Sequence, residues 1–578
     1  MDKSKETFFD ATEFKNIKEI MYNSAKKYAN NIAFKIKHNI EKKVEYEEIT
    51  YSKFLEQINQ LGTALYNLGL KGKRIAILGR NRYEWVLAHL SNLLGGIVSV
   101  PLDKELQEDE LESSIVRSKA DAIIFDEKYQ EKVENIRERG NSNLKQYICM
   151  SELEGYLSIS DLLNKGEKLL QEGKKEYINY EVDSYCMSIL LFTSGTTAKS
   201  KAVMLSQNNI ASNVYAMLLV EDFRTTDVNL AFLPFHHIFG STEMIVMLAS
   251  GVQTVFPDGL RYVAQNLREY KVTLFVGVPI LIEAIYKNIQ KIIKKQGKEK
   301  AIKAATILSN SLYKMHIDVR RKIFKPIIDQ LGGNMRFIVS GGAALDKDVS
   351  KKFNELGIKL VQGYGVTETA PVIAAENYKY IKSGSVGFPM KNVEVEVVDK
   401  NNEGIGEFRV KGPNVMLGYY ENSEATESVL KDGWFYTGDL GYIDKEGFMF
   451  ITGRKKDMIV LKNGKKIFPE EIETMVNKLD IVEESMAYAM PDRDDDVKLA
   501  IKIVYNKEKV EEKYPNVSFE ELQKIVWNEI KEVNKSFPKY KYIKHMILTD
   551  EELIKTTTKK VKRHEELKRI LEEENKGK

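Results

Sequence analysis

Short apolar runs without alternation recur through the N-terminal two thirds of the chain. The runs 74–78, 122–125, 272–276 and 336–339 are bounded by glycine or by charge. Runs of this kind are typical of strands that are buried on both faces, because helices cover both sides of a parallel sheet. The pattern therefore predicts a large α/β domain.

A second pattern begins near residue 393. Apolar and charged residues alternate over 393–397 and again over 407–410. Alternation of this kind predicts half-exposed strands, as in an antiparallel sheet. A small antiparallel unit is therefore expected after the α/β region.

The C-terminal part combines helical and strand patterns. Pro469 suits the first position of a helix, and the acidic residues after it complement the positive end of the helix dipole. Residues 472–479 keep one face of this helix apolar. Together with the strand-like run 499–504 and the helical pattern around 522–530, they predict a compact α+β domain.

Residues 287–325 form a basic amphipathic region. Its basic residues include Lys287, Lys291, Lys294, Lys295, Lys298, Lys300, Lys303, Arg320, Arg321 and Lys322, interleaved with Ile289, Ile292, Ile293, Ile302 and Ile307. Such a region is either the solvated face of a packed helix pair or a contact with an anionic membrane surface. The sequence leaves both readings open.

The composition is that of an ordinary globular protein. The chain has 578 residues, of which 43% are hydrophobic and 30% charged, so at least two cores are expected. The chain has 87 basic and 84 acidic side chains, so its net charge gives no signal for binding nucleic acid. The two cysteines, Cys149 and Cys186, lack zinc-type spacing and fit a reducing compartment.

No targeting or membrane-spanning segment is expected. The charged start Met1–Glu6 leads into no apolar signal-peptide core. No apolar stretch reaches the roughly 18 residues that a transmembrane helix needs. We therefore expect a cytoplasmic protein, with peripheral contact at the inner face of the membrane through 287–325 as the open alternative.

A hydroxyl-rich loop follows the apolar run 189–192. Residues 193–201 read Thr-Ser-Gly-Thr-Thr-Ala-Lys-Ser-Lys. Short hydroxyl side chains and a glycine let N–H and O–H donors converge on a polyanion, and a lysine supplies compensating charge. A P-loop NTPase motif is excluded, because Ser200 stands where it requires glycine and Ala202 where it requires a hydroxyl. The loop therefore predicts a nucleotide site of another class.

Three further motifs accompany this loop. They are Gly-Tyr-Gly-Val-Thr-Glu-Thr at 363–369, Tyr-Thr-Gly-Asp at 436–439 and Gly-Arg-Lys-Lys-Asp at 453–457. With 233–240 and 340–344 between them, the set resembles the adenylate-forming superfamily, which includes acyl-CoA synthetases, peptide-synthetase adenylation domains and luciferases. The resemblance covers nearly the whole chain, from Thr50 to Arg563.

The resemblance implies an α/β fold in two domains. A large N-terminal domain, 1–453, would contain two stacked α/β sheets and a small β-barrel. A hinge at 454–457, with Lys456 at the hinge position, would connect it to a small mobile α+β domain, 458–578, that carries a catalytic lysine. The implied chemistry is attack of a carboxylate on the α-phosphorus of ATP, with pyrophosphate as the leaving group.

The same resemblance implies an ATP site drawn from all these motifs. Its residues would be Thr193, Ser194, Gly195, Thr196, Thr197, Lys201, Gly341, Gly342, Ala343, Gln362, Gly363, Tyr364, Gly365, Thr367, Asp439, Arg454 and Lys560. Tyr364 would stack on the adenine, Asp439 and Arg454 would bind the ribose, and Thr367 would bond the α-phosphate.

The implied catalytic residues are Lys560, Glu368, Thr367 and His237. Lys560, in the lysine-rich stretch 553–563, would neutralise charge between the carboxylate and the α-phosphate. Glu368, with Thr193, would hold Mg²⁺. His237 would gate the acyl entrance, with a packed histidine as the alternative.

CoA is the implied second co-substrate. It would enter along Lys462, Asn463, Gly464 and Lys466 after the small domain has rotated. The elaborated region 287–325 resembles the long-chain fatty acyl-CoA synthetases. The expected function is ATP-dependent activation of a medium- to long-chain fatty acid through acyl-AMP, followed by transfer to CoA.

Two alternatives stay open. The acyl group could pass to the phosphopantetheine of an acyl carrier protein, or the chain could be an acyl- and nucleotide-binding sensor that has lost turnover. The sensor reading is motivated by departures from the family's pattern, which are Ala198 and Ala202 in the phosphate loop and Ile554 and Lys559 in the lysine motif; Ser200 also departs, where the family has proline. The sequence leaves the preferred acid and the oligomeric state undetermined.

Overall fold

The computed structural model describes residues 6–40, 43–193, 200–461, 465–491, 497–556 and 560–576. Its helices are α1 Ile17–Lys27, α2 Tyr51–Asn67, α3 Tyr83–Leu94, α4 Glu108–Ser118, α5 Gln130–Arg139, α6 Ile159–Gln171, α7 Gln207–Leu218, α8 Ile238–Ala249, α9 Val263–Glu269, α10 Pro279–Lys295, α11 Glu299–Lys314, α12 Arg320–Ile323, α13 Lys325–Ile328, α14 Lys347–Glu355, α15 Ser423–Val429, α16 Pro469–Val476, α17 Lys507–Lys513, α18 Phe519–Asn534 and α19 Arg563–Lys576.

Within these described residues, the strands form five sheets. They are β1 Ile32–Ile40, β2 Lys43–Thr50, β3 Arg74–Leu78, β4 Val98–Leu102, β5 Ala122–Phe125, β6 Gln146–Cys149, β7 Leu157–Ser158, β8 Met187–Thr193, β9 Lys201–Ser206, β10 Val228–Leu230, β11 Gln253–Val255, β12 Leu274–Gly277, β13 Phe337–Ser340, β14 Lys359–Gly365, β15 Val372–Ala375, β16 Phe388–Pro389, β17 Glu394–Val398, β18 Gly406–Lys411, β19 Gly418–Tyr419, β20 Leu430–Lys431, β21 Trp434–Ile443, β22 Met449–Arg454, β23 Ile459–Val460, β24 Lys466–Ile467, β25 Val482–Pro491, β26 Val497–Tyr505 and β27 His545–Thr549.

Two large sheets form the N-terminal part. One has nine strands in the order β16-β15-β14-β13-β12-β10-β11-β1-β2, and the other has eight in the order β19-β9-β8-β4-β3-β5-β6-β7. The central pairings of both sheets are parallel. One buried cluster joins Phe34 and Leu274 of the first sheet to Ile75 of the second through residues of α2, α3 and α8. The two sheets are therefore stacked with helices between them, as expected.

The predicted buried strands are present. Those at 74–78 and 122–125 coincide with β3 and β5, whereas β12 and β13 begin slightly later than the runs 272–276 and 336–339. At β12 the reason is local, because the Val272 N–H still donates to the carbonyl of Leu267 in the preceding helix.

The alternating segments form a five-stranded antiparallel sheet. Its strands follow the order β17-β18-β21-β20, and β22 pairs with β21. β17 and β18 contain the predicted strands at 393–397 and 407–410 almost completely. This sheet is important for the site because β21 and β22 carry the 436–439 and 453–457 motifs to one place.

The C-terminal part has its own core. β25, β26 and β27 form a three-stranded sheet, and buried residues of α16 and α18 pack on it. α16 begins at Pro469 and α18 spans the predicted helix around 522–530. The proposed hinge, 454–457, begins at the last residue of β22 and ends before β23.

The basic region 287–325 is helical, from α10 to α13. Its inward face is packed, because Ile289 is buried and Ile293 and Ile302 contact a core cluster. At the C-terminal end of α11 the apolar side chains are open, with Ile307 63% and Met315 68% exposed. Within the described ranges, no helix combines the length and the apolar character needed to cross a membrane.

Candidate active site

Asp439 and Arg454 lie side by side on neighbouring strands. They are register partners on β21 and β22, and Arg454 Nε lies 2.8 Å from Asp439 Oδ1. Tyr364, near the end of β14, donates its hydroxyl to Asp439 Oδ2 at 2.6 Å. Asp439 is only 3% exposed. Two donors therefore fix a buried carboxylate, whose remaining lone pairs can still accept hydrogen bonds from a sugar diol.

The predicted adenine segment, Gly341, Gly342 and Ala343, directly follows β13. A Cβ at Gly341 would lie 2.8 Å from the ring of Phe239, so the backbone and the ring are in close contact. Gly342 has φ +83°, in the left-handed region that glycine adopts readily. Gly342 and Ala343 are exposed. A bare backbone surface of this kind allows a planar base to approach.

Gln362, Gly363 and Gly365 shape the end of β14. The Gln362 N–H donates to the carboxylate of Glu376 at 3.0 Å. A Cβ at Gly365 would lie 1.9 Å from the carbonyl oxygen of Pro371, so only glycine fits there. These residues position the strand end that carries the central motif.

Thr367 and Glu368 lie in a 3-10 turn directly after β14. Tyr419 donates its hydroxyl to Glu368 Oε1 at 2.8 Å, and Lys201 Nζ lies 4.6 Å from the centre of the Tyr419 ring. Over the described part of the chain, no three His, Cys, Asp or Glu side chains gather into a group that could hold a metal ion alone. A single carboxylate still fits Mg²⁺, because one or two carboxylates and substrate phosphates usually hold this ion.

β8 and β9 are the two stems of the predicted phosphate loop. Thr193 and Lys201 are register partners, and the Thr193 hydroxyl donates to the Lys201 carbonyl at 3.2 Å. The other ligands predicted in this loop, which are Ser194, Gly195, Thr196 and Thr197, lie outside the described residues. The stems bring Lys201 to the Glu368 side of the site through Tyr419.

Lys560 reaches this site from the C-terminal part. Its pKa is lowered, first by burial and then by the charge of Arg454, while the charges of Asp439 and Glu368 oppose the shift. Lys560 also retains exposed surface. The four charged groups are close enough to act on one another, and the predicted catalytic lysine thus meets the predicted ribose and magnesium residues.

Backbone hydrogen bonds hold the segment that carries Lys560. The Thr556 N–H donates to the Lys560 carbonyl at 2.8 Å, and the Ile554 N–H donates to Glu566 Oε2 at 2.9 Å. Glu566 is fully buried and lies 2.9 Å from Lys502 Nζ. A proline at position 554 could not make this contact, because proline has no N–H. Isoleucine at position 554, where the family has proline, therefore allows a hydrogen bond to Glu566 that proline could not make.

His237 begins helix α8. Its Nδ1 accepts a hydrogen bond from the Phe239 N–H at 3.3 Å, which caps the helix. Burial, and next the charges of Lys560 and His236, lower the pKa of His237 to about 3. The ring is therefore neutral at neutral pH. This capping contact agrees with a packed histidine, and the gating role stays a prediction.

A narrow apolar cavity runs along α8. It is lined by Met217, Phe223, Phe239, Thr242, Glu243, Val246, Met247, Val276, Val339, Pro371 and Val372. The lining residues of α8 follow helical spacing, so one face of the helix forms a wall. Since Phe239 also contacts Gly341, the cavity adjoins the adenine segment.

One wall residue of this cavity is an acid. Glu243 is 3% exposed and accepts a hydrogen bond from Asn229 Nδ2 at 2.9 Å. Burial raises its pKa to about 8. Its second carboxyl oxygen has no partner among the described residues. Glu243 is therefore a neutral carboxylic acid at neutral pH.

The predicted hinge and CoA residues are only partly described. Burial, and next the Arg454 charge, lower the pKa of Lys456, so this residue lies close to the ribose pair. Lys466 is exposed on β24. Lys462, Asn463 and Gly464 lie outside the described residues.

Sequence reasoning missed three residues around the site, Tyr419, Glu243 and Glu566. A lone acid in the otherwise apolar helix α8 is a signal that could have pointed to Glu243. Tyr419 and Glu566 act on partners elsewhere in the chain, so no local pattern would have revealed their contacts.

Comparison with protein families decides the membership of the chain. A model described as AMP-binding enzyme matches residues 21–420, which is more than half of the sequence. The chain belongs to the AMP-binding enzyme family. A second model, AMP-binding enzyme C-terminal domain, matches residues 456–573. The chain is thus an enzyme of this family, as the motifs indicated.

Curated relatives of this AMP-binding enzyme include two kinds of ligase. The chain is 30% identical to long-chain-fatty-acid–CoA ligase 5 of Rattus norvegicus, over 75% of the chain and 68% of the relative. It is 26% identical to the chloroplastic long-chain-fatty-acid–[acyl-carrier-protein] ligase AEE15 of Arabidopsis thaliana, over 90% of the chain and 80% of the relative.

Solved structures support the fold of this AMP-binding enzyme. The anthranilate CoA ligase AuaEII in complex with anthranoyl-AMP superposes with a TM-score of 0.75 at 21% identity, over 97% of this chain and 98% of that one. The o-succinylbenzoate CoA synthetase of Bacillus subtilis gives a TM-score of 0.70 at 22% identity, over 95% and 97%. These matches confirm the predicted α/β fold with a large N-terminal and a small C-terminal part.

Proposed function

We propose that this enzyme activates a medium- to long-chain fatty acid with ATP, through a bound acyl-AMP, and transfers the acyl group to CoA. The products are acyl-CoA, AMP and pyrophosphate. The observation that carries the proposal is the meeting of Lys560 with Asp439, Arg454 and Glu368 in one cleft. The names of the curated relatives support the acyl class and the thiol acceptor.

In the first half-reaction two anions must meet. Lys560 would neutralise charge between the incoming carboxylate and the α-phosphate, and Thr367 would donate to that phosphate. Asp439 and Arg454 would hold the ribose, since one can accept from hydroxyls and the other can donate. Thr193 and Lys201 would hold the terminal phosphates. Glu368 would hold Mg²⁺, which when bound neutralises phosphate charge.

In the second half-reaction the thiol of CoA attacks the acyl carbonyl and AMP leaves. Lys560 occupies the cleft in the present arrangement, so the C-terminal domain must rotate about Lys456 to admit the thiol. Lys466, with Lys462, Asn463 and Gly464, would then face the pantetheine arm. Domain borders at 453 and 458 are part of this proposal.

The cavity along α8 is the proposed acyl site. Its apolar lining suits an alkyl chain. Phe239 lines this cavity and lies against Gly341, so the entrance would lie beside the adenine segment. His237 caps the N-terminus of the same helix, so a gating motion of His237 would involve that end of α8.

The test is AMP formation with MgATP and CoA across saturated acids from acetate to long chains. Lys560→Ala and Glu368→Ala are expected to lower the rate by at least about a hundredfold. Lys562→Ala is the matched control, because Lys562 pairs with Glu565 outside the cleft. An acid-independent rate, or equal losses in all three variants, would contradict the proposal. A single CoA-dependent turnover would exclude the sensor alternative.

The acceptor needs a separate experiment. One curated relative is named as a ligase for an acyl carrier protein, so holo carrier protein is the competing acceptor. The same acid should be offered with CoA and with holo carrier protein at equal concentrations. Acyl transfer to CoA at the higher rate is expected. Transfer to the carrier protein alone would replace CoA in the proposal.

A peripheral membrane contact through 287–325 is proposed as a partner interaction. Exposed apolar residues at the end of α11, Ile307, Leu308 and Met315, lie within this basic region. Arg320 and Arg321 contribute little, because Arg320 pairs with Asp318 and Arg321 donates to the Met335 carbonyl. Sedimentation with anionic but not with zwitterionic liposomes is expected, and Ile307→Glu should abolish it. Equal sedimentation with both would contradict the contact.

A further inference from the structure

The base of the phosphate hairpin is held by a residue from outside it. Phe192 and Ala202 are register partners on β8 and β9, directly beneath the pair Thr193 and Lys201. The hairpin therefore enters the candidate ATP site on two stems, and the distance between them decides where the loop begins and ends.

Arg117, in the last turn of α4, contacts both stems. Its Nη1 donates to Ser200 Oγ at 3.1 Å and its Nη2 donates to the Ser200 carbonyl at 2.6 Å. The same guanidinium lies 5.2 Å from the centre of the Phe192 ring. One planar group thus makes two hydrogen bonds to Ser200, directly before β9, and stacks on Phe192 near the end of β8.

The position of Ser200 explains why such a contact is needed. A serine leaves φ free, so holding Ser200 in one conformation costs conformational entropy. Arg117 fixes Ser200 at its carbonyl, which no side-chain change at position 200 can remove. A guanidinium is well suited because its donors have a fixed planar geometry.

The charge of Arg117 is also available. Among the residues described, neither Arg117 nor Lys201 forms an ion pair with a carboxylate, whereas the nearby Lys119 pairs with Glu421. Both cations line one cleft with Ala202, Tyr420, Asn422 and Glu421, and the Glu421 carboxylate pairs with Lys119. Because Lys119 neutralises Glu421, Arg117 and Lys201 leave the cleft with a net positive charge, which favours a polyanion.

We propose that Arg117 is a positioning residue for the terminal phosphates of ATP, acting by clamping the two stems of the phosphate hairpin. The inference rests on the proposed adenylation function. The proposal predicts that loss of Arg117 slows the first half-reaction and not the second, because only the first uses the β- and γ-phosphates. Transfer from preformed acyl-AMP to CoA does not need this clamp.

The test separates these half-reactions. Arg117→Met keeps an unbranched side chain but removes the donors and the charge, and Arg117→Lys keeps the charge but removes the fork. We expect Arg117→Met to lower ATP–pyrophosphate exchange, as kcat/KM for ATP, by about tenfold or more. The kcat/KM of Arg117→Lys should lie between that of Arg117→Met and that of the wild type. With synthetic acyl-AMP and CoA supplied, all three proteins should form acyl-CoA at equal rates.

Controls exclude a general loss of structure. Arg137→Met is the matched control, because Arg137 also lies over an aromatic ring, that of Tyr147 at 4.8 Å, but on α5. Its exchange rate should equal that of the wild type. Equal losses in both half-reactions of Arg117→Met would assign a merely structural role, and an unchanged exchange rate would also overturn the proposal.

Calorimetry keeps the clamp testable if the adenylation proposal itself fails. ATP titration of the wild type and of Arg117→Met needs no turnover. A weaker affinity of the variant, by about tenfold, is expected even in a protein that makes no acyl-AMP. Equal affinities would overturn the clamp whatever the enzyme catalyses.

Discussion

Single residues near the candidate site have pKa values that differ from those in water. Glu243 and His237 are both neutral at neutral pH, the one because burial raises its pKa and the other because burial lowers it. An apolar cavity therefore keeps neutral walls even though two ionisable residues adjoin it. The acyl chain would meet no formal charge there.

Glu243 makes this state measurable. The unfolded chain loses the proton near the ordinary pKa of glutamate, but the folded protein keeps it up to about pH 8. Glu243 thus lowers the free energy of unfolding by about 1.4 kcal/mol per pH unit as pH rises between these two values. Urea unfolding at pH 5, 6 and 7 should give a steeper decline in the wild type than in Glu243→Gln. Parallel curves would contradict a neutral Glu243.

At the scale of elements, strands and the segments that follow them deliver the chemistry. β14 ends in the central motif, Asp439 and Arg454 are register partners on β21 and β22, and the segment before α19 presents Lys560. That segment is held by a contact with another element, the hydrogen bond from the Ile554 N–H to Glu566. The site therefore depends on contacts between elements as well as on the strands themselves.

The segment before α19 gives a prediction that runs against the family's pattern. Ile554→Pro would restore the residue usual in relatives of this motif, yet it would remove the N–H that Glu566 accepts. The loss of a hydrogen bond to a buried carboxylate costs about 1–3 kcal/mol. Adenylation should fall by about tenfold or more, measured by ATP–pyrophosphate exchange. Ile554→Ala keeps the N–H, so its exchange rate should fall much less. Equal falls in the exchange rates of the two variants would contradict this account.

At the scale of the whole molecule, the two parts are docked with Lys560 in the cleft. Lys478 of the C-terminal part lies 3.2 Å from both Asp346 and Asp348 of the N-terminal part. Such partly exposed pairs contribute little individually and are screened by salt. They can still shift the equilibrium between two domain positions whose free energies differ by little.

Lys478→Glu should shift that equilibrium away from the docked arrangement. ATP–pyrophosphate exchange is expected to fall by a few-fold at low salt and by less at high salt, because the contact is electrostatic. Transfer of the acyl group from supplied acyl-AMP to CoA should not fall. Lys535→Glu is the control, because Lys535 pairs with Glu532 within its own domain. A loss in the second half-reaction alone would contradict the prediction.

The sequence was most informative where a local pattern decides the structure. Apolar runs located β3 and β5, and Pro469 located the start of α16, because burial and helix starts are local properties. The match of Asp439 with Arg454 depends on the register between β21 and β22. The contacts of Arg117 and Glu566 join elements distant in the chain, and no residue spacing encodes them. The resemblance supplied the site list, whereas the geometry supplied the supporting contacts.

The Asp439 carboxylate has a consequence for nucleotide choice. Tyr364 and Arg454 hold both of its oxygens, so the carboxylate cannot turn to replace a missing hydrogen-bond partner. A sugar without its 2′-hydroxyl would leave one buried acceptor lone pair unsatisfied. The enzyme should therefore discriminate against 2′-deoxy-ATP by about tenfold in kcat/KM, and Tyr364→Phe, by freeing one oxygen, should narrow that ratio. Tyr364 would thus contribute to the selection of ATP over 2′-deoxy-ATP.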